Sequence, residues 1–149
     1  MILTLQGTEA AAPGGMVGVL FVIGRILFAA IFILSGIGHL TKLQAMSQYA
    51  AAFKVPQPRL AVVLSGLMIL AGGFSILLGV AVRAGALLLV LFLFPAAIYM
   101  HPFWGVADAM QAGNQQAHFM KNLALAGAAL LIYFFSTLYP EAWVYALGR

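Results

Sequence analysis

The sequence contains no cysteine. This absence excludes disulfide bonds, cysteine-held iron–sulfur clusters and cysteine-rich zinc sites within the chain. Charge is almost as scarce, because only 7% of the residues are Asp, Glu, Lys or Arg, against about 25% in a typical soluble domain. What the sequence has instead is apolar surface: 64% of the residues are hydrophobic and the mean hydropathy is +1.08. Such a chain is unable to cover a water-facing surface, so the composition predicts an integral membrane protein.

Basic residues outnumber acidic ones by seven to three, but they are scattered singly along the chain. No basic cluster of the kind that binds nucleic acid occurs, so we expect no nucleic-acid partner. The lysines and arginines are predicted to lie at lipid headgroups, where they orient helices. At the N-terminus, no basic residue precedes the first apolar run, which is longer than a signal-peptide core, so we expect this segment to be retained.

Four apolar segments are each close to the roughly 20 residues that cross a bilayer. They lie at about residues 16–40, 60–80, 82–100 and 122–139. Residues 79–83 leave room only for a tight hairpin, and residues 42–54 carry apolar side chains at the spacing of an amphipathic helix lying in the interface. We predict one all-α membrane domain over residues 1–149, a four-helix bundle with both termini on the same side. The side with the hairpin is called face A, and the side with the two longer connections is called face B.

Small residues four positions apart favour close packing of helices in lipid. Three such pairs occur, namely Gly14 with Gly18, Ala81 with Gly85, and Ala124 with Ala128.

Arg25 is the charged side chain predicted to lie deepest, well inside the first span. An arginine at membrane depth costs about 2.5 to 3.5 kcal/mol on insertion scales, so it normally has a partner or reaches the interface. One interpretation is a contact with an anion or a quinone headgroup inside the bundle. The alternative is a snorkelling arginine near face A that pairs with backbone carbonyls or a lipid headgroup. No acidic residue lies at a matching depth in the predicted spans, so no buried ion pair is expected.

The three histidines, His39, His101 and His118, fall at ends of predicted spans, and alternating topology places all of them on face B near Asp108. Histidines on adjacent helices are able to ligate haem or a metal, but no His-x3-His or Glu-x2-His spacing occurs, so we expect no metal site. A polar pocket for a quinone or lipid headgroup and an ordinary boundary role both stay open.

Trp104 and Trp143 fit interfacial aromatic belts at faces B and A. Trp104 lies in the same loop as His101, so it joins the candidate headgroup site. No phosphate-cradling loop and no nucleophile–base pair is present, and no catalytic residue is assigned.

Three stretches together resemble the DoxX family of small four-helix membrane proteins over roughly residues 24–132. They are "GRILFAAIFILSGIGHLTKL", "LSGLMILAGGFSILLGVAVRAGALLL" and "HPFWGVADAMQAGNQQAHFMKNLALAGAALL". The family pattern has an arginine in the first span, a lysine at its end and a glutamate before a Gly-Gly pair in the second span. Arg25 matches the arginine, whereas His39 takes the place of the lysine and Ile69 that of the glutamate. The resemblance implies that an activity depending on that acid is lost here.

Some members of the family look like subunits of quinone-linked membrane oxidoreductases. The resemblance therefore implies a multi-pass protein of a bacterial or archaeal cytoplasmic (inner) membrane that contacts lipid and other membrane subunits. The leading hypothesis is an accessory or structural subunit of a larger complex linked to electron transfer, and not an enzyme by itself. The alternatives are a catalytic quinone-binding subunit, with Arg25, His39, His101, Trp104 and His118 as candidate contacts, and a small-molecule transporter.

Overall fold

A computed structural model describes residues 15–143 of the chain. This part consists of helices only: α1 (Gly15–Thr41), α2 (Leu43–Ala52), α3 (Pro58–Leu78), α4 (Val82–Met100), α5 (Ala109–Leu138) and a short 3₁₀ helix (Pro140–Ala142). The helices α1, α3, α4 and α5 are long and apolar enough to cross a membrane. They confirm the predicted all-α membrane bundle. The expectation for the N-terminal segment and for Gly14 lies outside the described residues.

The α3–α4 hairpin turns within three residues after Leu78. Gly79 adopts a left-handed conformation with φ of 72°, which a glycine tolerates at no steric cost, and its N–H donates to the carbonyl of Ser75. The hydroxyl of Ser75 lies 2.6 Å from the carbonyl oxygen of Val80 and 3.1 Å from that of Ala81. The turn therefore satisfies its own backbone groups at the membrane surface, as a bilayer requires.

Neighbouring helices pack in the order α1–α3–α4–α5, with α2 against α3. Glycines allow the closest approaches, since a Cβ at Gly72 would lie 2.6 Å from Leu89 Cδ2 and 3.0 Å from the carbonyl oxygen of Gly85. On the other side of α3, a Cβ at Gly36 would lie 3.0 Å from the carbonyl oxygen of Gly66. The close packing of small residues on lipid-embedded helices is thus realised at two interfaces.

The small-residue prediction is wrong for α5. Ala124 is exposed and Ala128 is only half-buried, whereas Ala126 and Ala129 are the alanines buried in the core. Small residues lie on more than one face of this helix, and packing against α4 selects the face that the pattern alone leaves undetermined.

Helix α5 begins well before the apolar segment from which its span was predicted. Asp108 is its N-cap, and Asp108 Oδ1 accepts a hydrogen bond of 2.7 Å from the backbone N–H of Gln111. The connection between α4 and α5 is therefore residues 101–108 only. With 30 residues the helix is about 45 Å long, so its polar first turns extend past a hydrocarbon layer of about 30 Å.

Helices α1 and α5 are the outer members of the row and share no interface comparable to the other three in residues 15–143. They diverge to form an apolar cavity of about 750 Å³, open to the side. At face A this cavity is closed by Trp143, whose ring meets that of Phe21 edge-on at 4.9 Å. The start of α1 and the end of α5 therefore lie at the same end of the bundle.

Candidate functional site

The cavity between α1 and α5, here called the α1/α5 groove, is lined almost entirely by apolar side chains. Its main walls are Leu20, Phe21 and Phe28 from α1 and Leu131, Ile132 and Phe135 from α5. Arg25 is the charged residue of its lining, in a volume within the range of small-molecule sites.

Arg25 is only 6% exposed and bonds to backbone carbonyls of α3. Its Nε donates to the carbonyl of Ile76 at 3.0 Å, and its Nη2 donates to the carbonyl of Leu77 at 2.6 Å. Both carbonyls belong to the last turn of α3, where no intrahelical N–H remains to satisfy them. The negative end of the helix dipole also favours a cation there. Arg25 therefore caps α3, in agreement with the interpretation that pairs it with backbone carbonyls near face A.

Two aromatic rings hold the other side of this guanidinium. The Arg25 Cζ atom lies 5.1 Å from the centroid of the Trp143 ring and 5.7 Å from that of Phe21. Such cation–π contacts strengthen when water is excluded. The two carbonyl bonds use only part of the donor set of a guanidinium. The result is a fixed positive charge in the wall of an apolar groove, suited to an oxygen acceptor on an otherwise apolar molecule.

His39 lies at the packed interface between α1 and α3. The hydroxyl of Ser65 donates to the carbonyl of Val62 at 3.1 Å, so His39 Nδ1–H donates to Ser65 Oγ, also at 3.1 Å. The ring of His39 meets the edge of Phe92 on α4 at a centroid distance of 6.1 Å. A Cβ at Gly66 would lie 2.9 Å from His39 Cβ, so this histidine is part of a tight helix crossing.

The other two histidines form a pair at face B, where α4 ends. The rings of His101 and His118 stack with centroids 5.0 Å apart and an interplanar angle of 21°. His101 Nδ1 lies 2.9 Å from Gln115 Oε1, and Lys121 Nζ lies 3.3 Å from His118 Nδ1. These four side chains are here called the His–Lys cluster.

Electrostatics in the His–Lys cluster favour a neutral His101. Burial lowers the pKa of His101 below its ordinary value of 6.5, the hydrogen bond to Gln115 raises it, and the nearby His118 and Lys121 lower it further. The cluster thus places the ammonium group of Lys121 beside two histidines, and a proton added to His101 would lie close to that positive charge.

Trp104 belongs to an aromatic cluster beside this pair. Its ring lies 5.3 Å from that of Phe103 and 5.9 Å from that of Phe119, and the rings of Phe103 and Phe119 are 5.4 Å apart. Trp104 itself is exposed, as an aromatic side chain at a lipid headgroup layer would be.

The candidate residues therefore occupy separate places. Arg25 and His39 are about 21 Å apart along α1, and Phe92, which His39 contacts, lies about 13 Å along α4 from His101. A single headgroup is too small to contact all of them. The structure brings His101, His118 and Trp104 to one end of the bundle, while Arg25 belongs to the groove and His39 to a helix interface.

Four partner residues were not assigned to a site from the sequence: Ser65, Gln115, Lys121 and Trp143. The sequence does indicate that Gln115 and Lys121 lie near His118, because they are three residues to either side of it and thus on the same face of a helix. Nothing in the sequence indicates that Trp143 reaches Arg25. Within residues 15–143, no group of three or more His, Asp or Glu side chains that would hold a metal ion is found.

Comparison with known proteins gives the family. The sequence model of the DoxX family matches residues 20–102, more than half of the chain. The chain belongs to the DoxX family. This DoxX protein is 32% identical over 115 residues to the inner membrane protein YphA of Escherichia coli K12, covering 76% of this chain and 81% of YphA. It is 34% identical over 116 residues to the inner membrane protein YqjF of the same organism, covering 78% of this chain and 82% of YqjF. No solved structure matches it significantly.

Four apolar spans and two relatives named as inner membrane proteins identify this DoxX protein as a multi-pass protein of the bacterial inner membrane. Ile69, at the position that the resemblance assigns to a glutamate, is fully buried in the core, with 0% exposure. In the described residues, the spans therefore carry Arg25 without a carboxylate partner.

Proposed function

We propose that this DoxX protein is an accessory subunit of a larger inner-membrane complex linked to electron transfer. The observation that supports the proposal is the open side of the bundle, where α1 and α5 expose the apolar α1/α5 groove. Packing of small and apolar surfaces holds membrane subunits together, and such a groove has the shape to receive a helix of another subunit. The link to electron transfer rests on the family resemblance.

Gentle extraction of the full chain from its native membrane, followed by native mass spectrometry, tests the proposal. We expect a complex that contains other subunits, and loss of that complex in Leu131→Trp, which fills the groove from a residue 59% exposed. Leu91→Trp is the matched control, because Leu91 is 63% exposed on α4 and outside the groove. A chain that runs alone or only with copies of itself refutes the proposal.

A second function, quinone binding, is supported by Arg25 in the wall of the groove. An isoprenoid tail fits an apolar groove of about 750 Å³, and a quinone carbonyl oxygen is an acceptor for the guanidinium donors. Trp143, 5.1 Å from Arg25 Cζ, would report binding by quenching of its fluorescence.

The quinone test uses a Trp104→Phe background, so that Trp143 is the only tryptophan. A short-tailed quinone analogue is expected to quench its fluorescence to saturation, with weaker binding in Arg25→Lys and unchanged binding in Arg83→Lys. Arg83 is exposed at the start of α4 and is not part of the groove lining. Quenching that never saturates, or that is equal in the two variants, contradicts quinone binding at Arg25.

A further inference from the structure

The hydrogen bonds within the His–Lys cluster determine which histidine nitrogens carry a proton and which are available to bind a ligand. The ammonium of Lys121 is only a donor, so His118 Nδ1 accepts, and the proton of a neutral His118 is on Nε2. Gln115 Oε1 is only an acceptor, so His101 Nδ1 carries the proton, and its Nε2 remains available to be protonated. The cluster therefore presents two hydrogen-bond donors close together, the Nε2–H of His118 and the ammonium of Lys121. His101 adds a third donor when its Nε2 is protonated.

No carboxylate neutralises this charge within the described chain. Its acidic residues are Asp108 and Glu141. Asp108 caps α5 through Gln111, and Glu141 belongs to the 3₁₀ helix at the opposite end of the bundle. An anion bound by the His–Lys cluster would therefore come from outside residues 15–143.

The depth of the cluster is that of lipid headgroups. His101 follows directly on α4, whose 19 residues measure about 28 Å and thus cross the hydrocarbon layer once. Counting a hydrocarbon thickness of about 30 Å back from Leu138 along α5 reaches His118. The exposed Trp104 ring lies in the same loop as His101, as expected of an interfacial aromatic residue.

We propose that the His–Lys cluster binds a phosphate group, and that the phosphate of an anionic phospholipid at face B is its ligand. His118 Nε2–H and the ammonium of Lys121 donate to phosphate oxygens, and the Gln115 amide N–H₂ is a further donor. The bound anion also offsets the positive charge of Lys121, which lies beside the two histidines. This site is distinct from the α1/α5 groove, since His118 and Ala128 of the groove are about 15 Å apart along α5.

The test uses the full-length chain in nanodiscs made from equal parts of phosphatidylglycerol and phosphatidylcholine. After transfer to mild detergent, native mass spectrometry counts the lipids of each kind that stay bound. We expect phosphatidylglycerol to be retained, and Lys121→Gln to weaken its retention about tenfold, the effect of losing one charge-assisted hydrogen bond to the phosphate. Lys42→Gln removes another exposed lysine on face B and is expected to leave retention unchanged.

A second arm separates a lipid from a soluble ion. Inorganic phosphate is added to the chain in nanodiscs of phosphatidylcholine alone, and the imidazole ¹⁵N resonances of His101 and His118 are followed. Retention of phosphatidylglycerol without a response to inorganic phosphate establishes a lipid site. A saturable response to inorganic phosphate, absent in Lys121→Gln and without preference for phosphatidylglycerol, establishes the same cluster as a site for free phosphate.

Equal losses in Lys121→Gln and Lys42→Gln, or no response in either arm, overturn the proposal. Lys121→Arg guards against a trivial loss of fold, because it keeps the charge and is expected to restore retention. His118→Phe keeps a planar ring on the same face of α5 but removes the Nε2–H donor, and it is expected to weaken retention while leaving the circular dichroism spectrum of the bundle unchanged.

Discussion

Replacing Arg25 by methionine is predicted to destabilise the bundle, because two carbonyls in the last turn of α3 lose their donors. Hydrogen bonds between membrane helices contribute about 0.6 kcal/mol on average and up to about 1.7 kcal/mol. The contacts with Trp143 and Phe21 add roughly 0.5 to 2 kcal/mol. Methionine avoids the insertion cost of arginine, which is about 2.5 to 3.5 kcal/mol at the bilayer centre. That cost is smaller here, because Arg25 bonds to Ile76, which lies only about 3 Å along the axis from the end of α3 and thus close to the membrane surface.

The net expectation for Arg25→Met is a loss of about 1 to 3 kcal/mol in the free energy of unfolding, because the lost contacts outweigh the reduced insertion cost. Arg25→Lys should fall between methionine and the wild type, since an ammonium keeps the charge but lacks the planar fork that reaches both carbonyls. Unfolding by sodium dodecyl sulfate in mixed micelles, followed by circular dichroism, measures the differences. Arg83→Met is the control, as Arg83 is exposed in the hairpin. An Arg25→Met variant as stable as Arg83→Met, or more stable than the wild type, refutes the capping role.

Three further predictions concern other parts of the chain. Gly72→Ala should destabilise the bundle by about 1 to 3 kcal/mol, since its Cβ would lie 2.6 Å from a side-chain atom of α4, whereas Gly127→Ala, which faces open space, should change little in the same unfolding assay. Asp108→Ala should cost about 0.5 to 2 kcal/mol and speed hydrogen exchange in the first turns of α5 only. The pKa of His101 is lowered in the folded protein, so the unfolded chain binds a proton at this histidine more readily than the folded protein does. The stability that the neutral His101 contributes is therefore present above pH 6.5 and is lost as the pH falls through the lowered pKa. Hydrogen exchange of residues 101–119, corrected for its intrinsic pH dependence, should accelerate on acidification, and persistence of that acceleration in His101→Gln would contradict the assignment.

The spans could be predicted from the sequence because hydropathy over about 20 residues is a local property. The start of α5 could not, since its first turns are polar and resemble a loop until Asp108 is identified as an N-cap. Helical structure in this segment depends on capping and on length, whereas the prediction rested on apolar character alone.

The position of Arg25 shows a second limit of the sequence. Counted from the start of α1 it lies deep, yet its partners place it in the last turn of α3, close to face A. Depth is set by how far neighbouring helices are offset along their axes, and a single sequence does not contain that offset. For the same reason, the histidines predicted on one face divide between a helix interface, at His39, and the His–Lys cluster.

Photo-crosslinking from the α1/α5 groove in intact membranes tests the central claim most directly. A photoreactive amino acid at Leu131 lies in the groove wall, and one at Leu91 on the exposed surface of α4 serves as the control. If the chain is an accessory subunit of an electron-transfer complex, we expect Leu131 to crosslink to one defined subunit of a redox complex, identified by mass spectrometry. The same crosslink should be absent from Leu91. Crosslinks only to lipid, only to copies of this chain, or equally from both positions would contradict it.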